Sequence, residues 1–443
     1  MNHSVFIKTI GCQMNHADSD IMAKMLLPLG YLNAERYENA DLILVNTCAI
    51  REKAEHKAFS FIGKLLRLKK KRPDLMIGIG GCLAQQEGKR IFGRAPHVDF
   101  VFGTEGIFRL PQLISRSKSS KNRVIDINIT GAALEHGLSE TNATQNHVTA
   151  FVTIIRGCDN FCSYCVVPYT RGREVSRAPS SILNEIIALV QSGVREVTLL
   201  GQNVNSYGKK GADSCSFPDL LEIVNKIDGL ERIRFTTSHP KDISDNLIDH
   251  MASLEKICPH IHLPVQSGSD HILRLMNRRY TVKNYLDKVE RLRKAVPGIA
   301  ITSDIIIGFP EETEEDFQAT CSVVRQVEYD SIFLFNYSDR PNVASASLVE
   351  KVSEEEKQRR FNHLMQIQES ITLNKNQLLV NAIRKVLIEG KNKSNDEQMT
   401  GRTPCNKIVH IKNNSSLTPG KCMPIIIKQA NKHSLAGELI SEA

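Results

Sequence analysis

The sequence predicts an α/β protein with three parts. These are an N-terminal parallel sheet built of βα units, a central partial (β/α)6 barrel and a small C-terminal β-barrel. Strand and helix patterns alternate through the first part of the chain, and the alternation resumes six times from residue 151. Short β-rich runs separated by Gly, Asn and Pro occupy the end. Alternating strands and helices favour parallel sheets, whereas short strands separated by turns favour a small barrel.

The length of 443 residues predicts about three domains at roughly 150 residues each. We place an N-terminal domain at 3–120, a polar linker at 121–143, the barrel at 144–376 and the C-terminal domain at 377–441. No apolar leader and no apolar run long enough to cross a bilayer is present. We therefore expect a cytoplasmic protein that does not enter a membrane.

In the N-terminal domain, β-branched and aliphatic runs predict strands at residues 4–10, 42–45 and 75–79. Asp18 or Ser19 is predicted to cap the first helix, which ends before a glycine. Each strand is followed by a helical pattern, which favours a parallel sheet.

A cysteine follows the end of each of these three strands: Cys12, Cys48 and Cys82. Because the carboxyl ends of parallel strands share one edge of a sheet, the three thiols can converge. Three convergent thiolates indicate a 4Fe-4S cluster with one position free of cysteine. Three structural cysteines buried in the core are the alternative.

A second trio, Cys158, Cys162 and Cys165, has the spacing C-x3-C-x2-C after an apolar strand. With no fourth cysteine or histidine nearby, the trio does not complete the four-ligand shell of structural zinc. It can hold three irons of a 4Fe-4S cluster and leave the fourth open to a ligand. The alternatives are an incomplete metal site and a chance clustering among eleven cysteines. The other five are interpreted as ordinary thiols: Cys215, Cys258, Cys321, Cys405 and Cys422.

Six strands are predicted in the central part, and a full eight-unit barrel does not fit the length. Their ranges are 151–156, 196–201, 232–237, 261–265, 301–307 and 331–336. Helical patterns between them include 180–191, 281–295 and 314–327. Small polar residues at the strand ends suit a ligand with amino, carboxylate and ribose groups. These residues are Gln202, Asn203, Ser238, Gln266 and Ser267.

The net charge of +8 is concentrated at the C-terminus, where residues 377–443 carry ten basic and five acidic side chains. Strands are predicted there at 384–389, 407–411 and 423–428. A small basic barrel favours a polyanion such as RNA. A capping barrel that contacts no nucleic acid is the alternative.

The spacing at Cys158 to Cys165, with Tyr164 just before the third cysteine, resembles the signature of the radical S-adenosylmethionine (SAM) enzymes. The motifs at 11–15, 46–55 and 80–86 resemble the N-terminal domain of the methylthiotransferases, and the segment around 401–406 resembles the TRAM domain. The resemblance covers nearly the whole chain. One departure is Asn342-Val343, where this family more often has Gly-Thr.

The resemblance implies two 4Fe-4S clusters with separate tasks. Cys158, Cys162 and Cys165 would hold the radical SAM cluster, with SAM contacted by Tyr164 and the polar strand ends. One electron passed to SAM would give a 5'-deoxyadenosyl radical, and a second SAM in each turnover would donate a methyl group. The auxiliary cluster on Cys12, Cys48 and Cys82 would hold the transferred sulfur. No catalytic side chain is identified beyond the clusters.

Within this family, the motifs around Cys12 and Cys48 imply methylthiolation of carbon 2 of N6-dimethylallyladenosine at position 37 of tRNA, next to the anticodon. The enzyme would be a transferase of sulfur-containing groups. The nearest alternatives are action on threonylcarbamoyladenosine in tRNA or on an aspartate of a ribosomal protein. A non-catalytic iron-sulfur RNA-binding protein is the alternative of another class. Expected partners are tRNA, a flavodoxin- or ferredoxin-type reductant, and cluster-assembly or sulfur-donor proteins, and we expect a monomer.

Overall fold

The computed structural model describes residues 3–49, 52–119, 122–131, 148–210 and 215–440. Residues 132–143 of the predicted linker and the pair 50–51 of the second motif lie outside this description. Within the described chain, no helix combines the length and apolar content needed to span a bilayer.

The N-terminal part forms a six-stranded parallel sheet with the order β2-β1-β3-β4-β5-β6. Its strands are β1 (His3–Thr9), β2 (Tyr31–Asn33), β3 (Leu42–Thr47), β4 (Met76–Gly81), β5 (Phe100–Phe102) and β6 (Val124–Asp126). Strand β3 is buried along its whole length, as expected for a strand covered on both faces. The sheet confirms the predicted fold class for this part and brings the carboxyl ends of β1, β3 and β4 to one edge.

Helices cover both faces of this sheet. They are α1 (Gln13–Leu26), α2 (Glu52–Lys71), α3 (Cys82–Glu87), α4 (Arg90–Arg94) and α5 (Leu110–Ser119). Helices α1 and α5 pack with Leu42 and Leu44 on one face, whereas α2 to α4 pack with Ile43 and Val45 on the other. The alternation of side chains along β3 thus supplies both cores.

Two expectations for this part are wrong. Helix α1 begins before Asp18 and Ser19, because Cys12 is its N-cap and donates its backbone N–H to Oδ1 of Asn15 at 3.2 Å. Strand β6 lies inside the segment 121–143 that was predicted as a linker. Arg109 holds this strand by donating to both carboxylate oxygens of Asp126, at 2.6 and 3.0 Å. A strand of three residues is too short to produce a recognisable periodicity.

The central part is an open barrel of two three-stranded parallel sheets, in the orders β11-β10-β7 and β12-β13-β14. The strands of this part are β7 (Thr149–Thr153), β8 (Ile155–Arg156), β9 (Val175–Ser176), β10 (Glu196–Leu200), β11 (Arg232–Thr236), β12 (His260–His262), β13 (Ala300–Ile307) and β14 (Ser331–Asn336). The backbone N–H of Ser238 donates to the carbonyl of His262 at 3.3 Å, which joins the two halves. The predicted partial (β/α)6 barrel is confirmed.

Helices follow the strands of the barrel as the patterns predicted. They are α6 (Val167–Arg171), α7 (Pro179–Gln191), α8 (Phe217–Asn225), α9 (Asp245–Ser253), α10 (Asp270–Leu275), α11 (Val282–Ala295) and α12 (Glu314–Val327). Asn342, at the departure from the family pattern, has φ of +66°. Because Asn tolerates the left-handed region better than most residues, the turn forms without glycine.

The C-terminal part is a closed five-stranded barrel, reached through helix α13 (Glu354–Gln377). Its strands are β15 (Ile383–Asn392), β16 (Asn395–Arg402), β17 (Ile408–Lys412), β18 (Cys422–Ala430) and β19 (Leu435–Leu439). Arg232 and Arg234 on β11 donate to four backbone carbonyls of this barrel at 2.7 to 3.2 Å. Glu196 lies beside both guanidinium groups, so the buried positive charge is partly balanced.

The N-terminal domain is joined to the central barrel by a buried carboxylate. Asp18 on α1 accepts from Arg156 at 3.1 Å and from Arg171 at 2.7 Å, one arginine on each oxygen. The Asp18 side chain is 1% exposed. A second link is the hydroxyl of Thr104, which donates to the carbonyl of Thr170 at 2.7 Å. Because buried charges must be paired, these contacts fix how the two domains sit together.

We expect Asp18→Ala to lower the free energy of unfolding by about 3–5 kcal/mol, because it leaves two buried guanidinium groups without their carboxylate. The melting temperature of the purified chain, measured by calorimetry, checks this. Asp20→Ala on the exposed face of the same helix is the matched control. Equal melting temperatures for the two variants would contradict the role assigned to Asp18.

Candidate functional site

Both cysteine trios open into one cavity of about 950 Å³. The cavity lies between the carboxyl edge of the N-terminal sheet and the interior of the central barrel. Its lining includes all six cysteines: Cys12, Cys48, Cys82, Cys158, Cys162 and Cys165. The structure therefore brings together two sets of residues that the sequence separates by more than seventy positions.

Two asparagines and a tight backbone position the N-terminal trio. Asn15 accepts hydrogen bonds from both the backbone N–H and the thiol of Cys12, and it donates to Oδ1 of Asn46 at 3.0 Å. Asn46 precedes Cys48 by two residues and donates to the carbonyl of Asn15 at 2.8 Å. This closed pair of asparagines links the end of β1 to the end of β3, which brings their cysteines together.

Glycines beside the cysteines allow the close approach. Gly81 has φ of +94°, and a Cβ there would lie 2.3 Å from the carbonyl oxygen of Thr47. A Cβ on Gly11 would lie 2.8 Å from Cβ of Cys48. Only glycine fits such positions without displacing the neighbouring strand.

The thiols of this trio differ in their electrostatic surroundings. A hydrogen bond with Cys48 lowers the pKa of Cys12 to about 6, despite burial. Burial raises the pKa of Cys82, and the guanidinium of Arg171 acts in the opposite direction. A cationic group is therefore already in place near the trio.

The second trio lies in a loop held at both ends. Strands β8 and β9 pair antiparallel and close the segment between them. Within the loop, Phe161 has φ of +48°, and its carbonyl accepts from the side chain of Asn277 at 3.0 Å. Ser163 donates its backbone N–H to Met276 at 3.1 Å and its hydroxyl to Leu275 at 2.7 Å. The end of α10 therefore fixes the conformation of the cysteine loop.

Burial raises the pKa of the Cys158 thiol to about 11 and that of the Cys165 thiol to about 12. Thiols in such surroundings ionise only when a cation compensates the charge, which iron does when it binds. No group of three His, Cys, Asp or Glu side chains in the described chain is arranged around a single metal ion. Each cysteine of a 4Fe-4S cluster binds a different iron, so such a trio need not meet at one point.

Arg278 lies against this second trio and was not found from the sequence. Its Nη1 donates to Sγ of Cys162 and to the hydroxyl of Tyr164, both at 3.5 Å. Its Nη2 donates to the carbonyl of Pro264 at 2.9 Å, and its Nε to the hydroxyl of Tyr280 at 3.1 Å. Arg278 is 4% exposed, so its charge acts on the cysteine sulfur with little screening.

Four of the six residues predicted to contact SAM line the cavity. They are Tyr164, Gln202, Ser238 and Gln266. Nε2 of Gln202 and Oγ of Ser238 are buried and have no hydrogen-bond partner among the described residues. Because unpaired buried polar atoms are costly, these two atoms fit a polar ligand such as SAM.

Asn203 and Ser267, which are also predicted to contact SAM, are not among the residues that line this cavity. Asn203 donates to Asp242 at 2.7 Å and accepts from the backbone of His239 at 3.1 Å. Ser267 is fully buried and accepts from the backbone of Ser269 at 3.2 Å. The hydrogen bonds of both side chains therefore hold the loops that follow their strands.

Three histidines of the barrel also line the cavity: His239, His260 and His262. Burial lowers the pKa of His239 to about 2 and that of His260 to about 3. Both imidazoles are therefore neutral at physiological pH.

The ion pairs of Asp18 with Arg156 and Arg171 were also not predicted from the sequence. Asp18 lies in a polar segment and Arg156 at the end of an apolar strand, and no local pattern distinguishes a buried arginine from an exposed one. Only the docking of α1 against the barrel makes them neighbours.

The fold and the cysteine loop define a radical SAM enzyme. A sequence model of the Radical SAM superfamily matches residues 152–324. The model of the Uncharacterized protein family UPF0004 matches residues 4–103, and that of the TRAM domain matches residues 377–440. The three matches fall on the three parts of the fold in the same order.

Curated relatives match over almost the whole chain. The tRNA-2-methylthio-N(6)-dimethylallyladenosine synthase of Desulfosudis oleivorans is 49% identical over 98% of this chain and 96% of its own length. The synthases of the same name from Syntrophus aciditrophicus and Caldicellulosiruptor saccharolyticus are 47% and 49% identical, each over 99% of this chain. The chain belongs to the family of these synthases, the methylthiotransferases of the radical SAM superfamily.

Solved structures show the same fold at low sequence identity. The radical SAM methyltransferase TsrM from Kitasatospora setae, with cobalamin and a [4Fe-4S] cluster bound, superimposes with a TM-score of 0.59. The match has 14% identity and covers 78% of this chain and 74% of that one. The cobalamin-dependent radical SAM enzyme OxsB superimposes with a TM-score of 0.51 over 83% of this chain and 56% of that one.

We expect the N-terminal trio to bind iron on reconstitution and Gly81→Ala to abolish this binding, because the added methyl group would collide with β3 beside Cys82. Iron per chain after anaerobic reconstitution should fall to roughly half, the content of one remaining cluster. Gly63→Ala is the matched control, since a Cβ there meets no atom within 4 Å. An unchanged iron content in Gly81→Ala would contradict the close approach described above.

We expect Arg278→Met to make the midpoint potential of the second cluster more negative, because it removes a buried positive charge and a donor to a cysteine sulfur. An electron paramagnetic resonance (EPR) redox titration of chains in which Cys12, Cys48 and Cys82 are replaced by alanine measures this cluster alone. Arg279→Met is the control, because the neighbouring arginine is exposed. The same potential in both variants would show that Arg278 has no influence on the cluster.

Proposed function

We propose that this enzyme methylthiolates carbon 2 of N6-dimethylallyladenosine next to the anticodon of tRNA, giving the 2-methylthio derivative. The observation that carries the proposal is the shared cavity, into which two separate cysteine trios open. One centre would serve the radical chemistry and the other would supply sulfur. Because both tasks act on one adenine ring, both centres must lie within reach of that ring. The names of the relatives supply the substrate.

Cys158, Cys162 and Cys165 would hold one 4Fe-4S cluster, and Cys12, Cys48 and Cys82 would hold an auxiliary one. Together with SAM, used twice per turnover, the clusters would supply a radical and a methylthio group. Acid-base groups do not readily open an aromatic C–H bond, so this chemistry belongs to the cofactors.

Residues of the chain would bind and orient these groups. Gln202 accepts from the backbone of Gly157 at 2.6 Å, so its side chain is fixed while its amide Nε2 stays available. Ser238 and Gln266 approach the same cavity from the ends of two further strands. The ligand would thus be held by several elements at once, which keeps it in one orientation.

The C-terminal barrel would bind the RNA backbone. Eight of its ten basic side chains are exposed: Arg384, Lys385, Lys391, Lys393, Lys412, Lys421, Lys428 and Lys432. Such contacts give affinity that depends on salt and carries little sequence information. The target base would be turned out of the anticodon loop into the cavity, which is easier in a loop than in a duplex.

The other partners follow from this chemistry. A flavodoxin- or ferredoxin-type protein would deliver electrons, and cluster-assembly or sulfur-donor proteins would restore the auxiliary centre. The enzyme would act as a monomer in the cytoplasm, where tRNA is available.

We expect loss of the gene to abolish 2-methylthio-N6-dimethylallyladenosine in tRNA and to cause its unthiolated precursor to accumulate. Mass spectrometry of nucleosides from the deletion strain, with and without the restored gene, measures both. A deletion strain that carries the Cys48→Ala gene should still accumulate the precursor. A strain that carries the Cys422→Ala gene should make the product, because Cys422 lies in the C-terminal barrel.

An unchanged nucleoside in the deletion strain would contradict the tRNA substrate. The threonylcarbamoyladenosine derivative and the methylthiolated aspartate of the ribosomal protein are then the products to measure. Cleavage of SAM by the purified chain with reductant distinguishes any of these enzymes from a non-catalytic iron-sulfur protein.

A further inference from the structure

Two arginines share one carboxylate beside the N-terminal trio. Asp18 accepts from Nη2 of Arg156 and from Nη2 of Arg171, and all three side chains are at most 9% exposed. Two positive charges against one negative charge leave this buried group with a net positive charge. A buried charge that is not balanced is costly, so the surroundings should provide an anion.

Arg171, not Arg156, is the arginine that reaches the cavity. Arg171 lines the cavity together with Cys12, Cys48 and Cys82, and it interacts electrostatically with Cys12 and Cys82. Arg156 is not part of the lining. Its Nη2 also donates to the carbonyl of Thr104 at 3.0 Å, and its guanidinium lies 5.2 Å from the ring centre of Phe108.

Arg171 also keeps one donor free. Its Nη1 is buried and has no acceptor in hydrogen-bonding geometry among the described residues, although the guanidinium lies close enough to the Cys82 thiol to lower the pKa of that thiol; its Nη2 is held at 2.7 Å from Asp18. The carboxylate therefore fixes the planar guanidinium so that a charged N–H remains beside the cysteines. An unmade hydrogen bond of a charged group costs more than that of a neutral one.

We propose that Arg171 is the sulfur-binding residue of the Cys12, Cys48 and Cys82 centre. Its Nη1–H donates to an anionic sulfur ligand of the auxiliary cluster, such as a thiolate on the iron without a cysteine. Its charge stabilises the more negative states of that cluster. This inference rests on the auxiliary cluster of the proposed function and adds the residue that holds the sulfur.

The test uses the full chain with Cys158, Cys162 and Cys165 replaced by alanine, so that only the auxiliary cluster is present after reconstitution. Arg171→Met removes the charge and the donor, and Arg171→Lys keeps the charge but loses the planar donor. Arg156→Met is the matched control, because it weakens the same contact with Asp18 without changing the cavity. Sodium methanethiolate is the probe ligand.

EPR redox titration and EPR-monitored methanethiolate binding give two readouts that do not need tRNA or turnover. In Arg171→Met we expect a more negative midpoint potential and methanethiolate binding at least about tenfold weaker. Arg171→Lys should restore most of the potential but not the affinity. Arg156→Met should keep the parent chain's affinity for methanethiolate, because Arg156 does not line the cavity, and its midpoint potential should shift by less than that of Arg171→Met.

Wild-type potential and affinity in Arg171→Met would overturn the inference. Equal losses in Arg156→Met and Arg171→Met would overturn it as well, since the effect would then come from domain docking. If the parent chain with only the N-terminal trio binds no iron, the auxiliary cluster itself is wrong, and the inference falls with it. Loss of the methylthio nucleoside is measured separately, so a wrong RNA substrate is distinguishable from a wrong role for Arg171.

Discussion

The pairing of Asp18 with Arg156 and Arg171 is the interaction on which the functional arrangement depends. Asp18 lies in the helix that follows Cys12, and the two arginines flank the loop of Cys158, Cys162 and Cys165. One buried carboxylate thus connects the elements that carry both trios. Such ion pairs add little net stability but strongly penalise any other arrangement, because separating them exposes unpaired charges to an apolar interior. The pairing therefore specifies how far apart the two centres lie.

Each trio also has its own buried arginine. Arg278 donates to Sγ of Cys162, and Arg171 faces Cys12 and Cys82. Three thiolates on a cluster carry excess negative charge, and a guanidinium in a low-dielectric site offsets it without being able to lose its proton. The two arginines differ in how they are used. All three nitrogens of Arg278 have partners, whereas Arg171 retains an unused donor. This difference fits the proposal that one centre holds SAM and the other handles sulfur.

The cysteine trios, the barrel and the parallel sheet could be predicted because each leaves a local pattern. Strand ends mark the positions of Cys12, Cys48 and Cys82, and the spacing of Cys158 to Cys165 is contained in eight residues. The errors arose where tertiary contacts decide. The sequence predicts Asp18 as a helix cap because Asp is a good capping residue, yet its carboxylate lies inside the helix and binds two arginines. Asn203 and Ser267 occupy strand ends like their neighbours, but their side chains form hydrogen bonds with the loops that follow, and neither residue lines the cavity.

The positions of the cysteines depend on the conformation of the backbone as much as on the side chains around them. The N-terminal trio comes from three strands, so no single loop can position it. Gly81, with its positive φ, and the hydrogen bonds between Asn15 and Asn46 bring the strand ends closer than ordinary side chains allow. The second trio comes from one loop and needs only a hairpin and the end of α10 to hold it. A centre assembled from distant strands is rigid only when the sheet is intact, so the proposed auxiliary cluster would depend on the fold of the whole N-terminal domain.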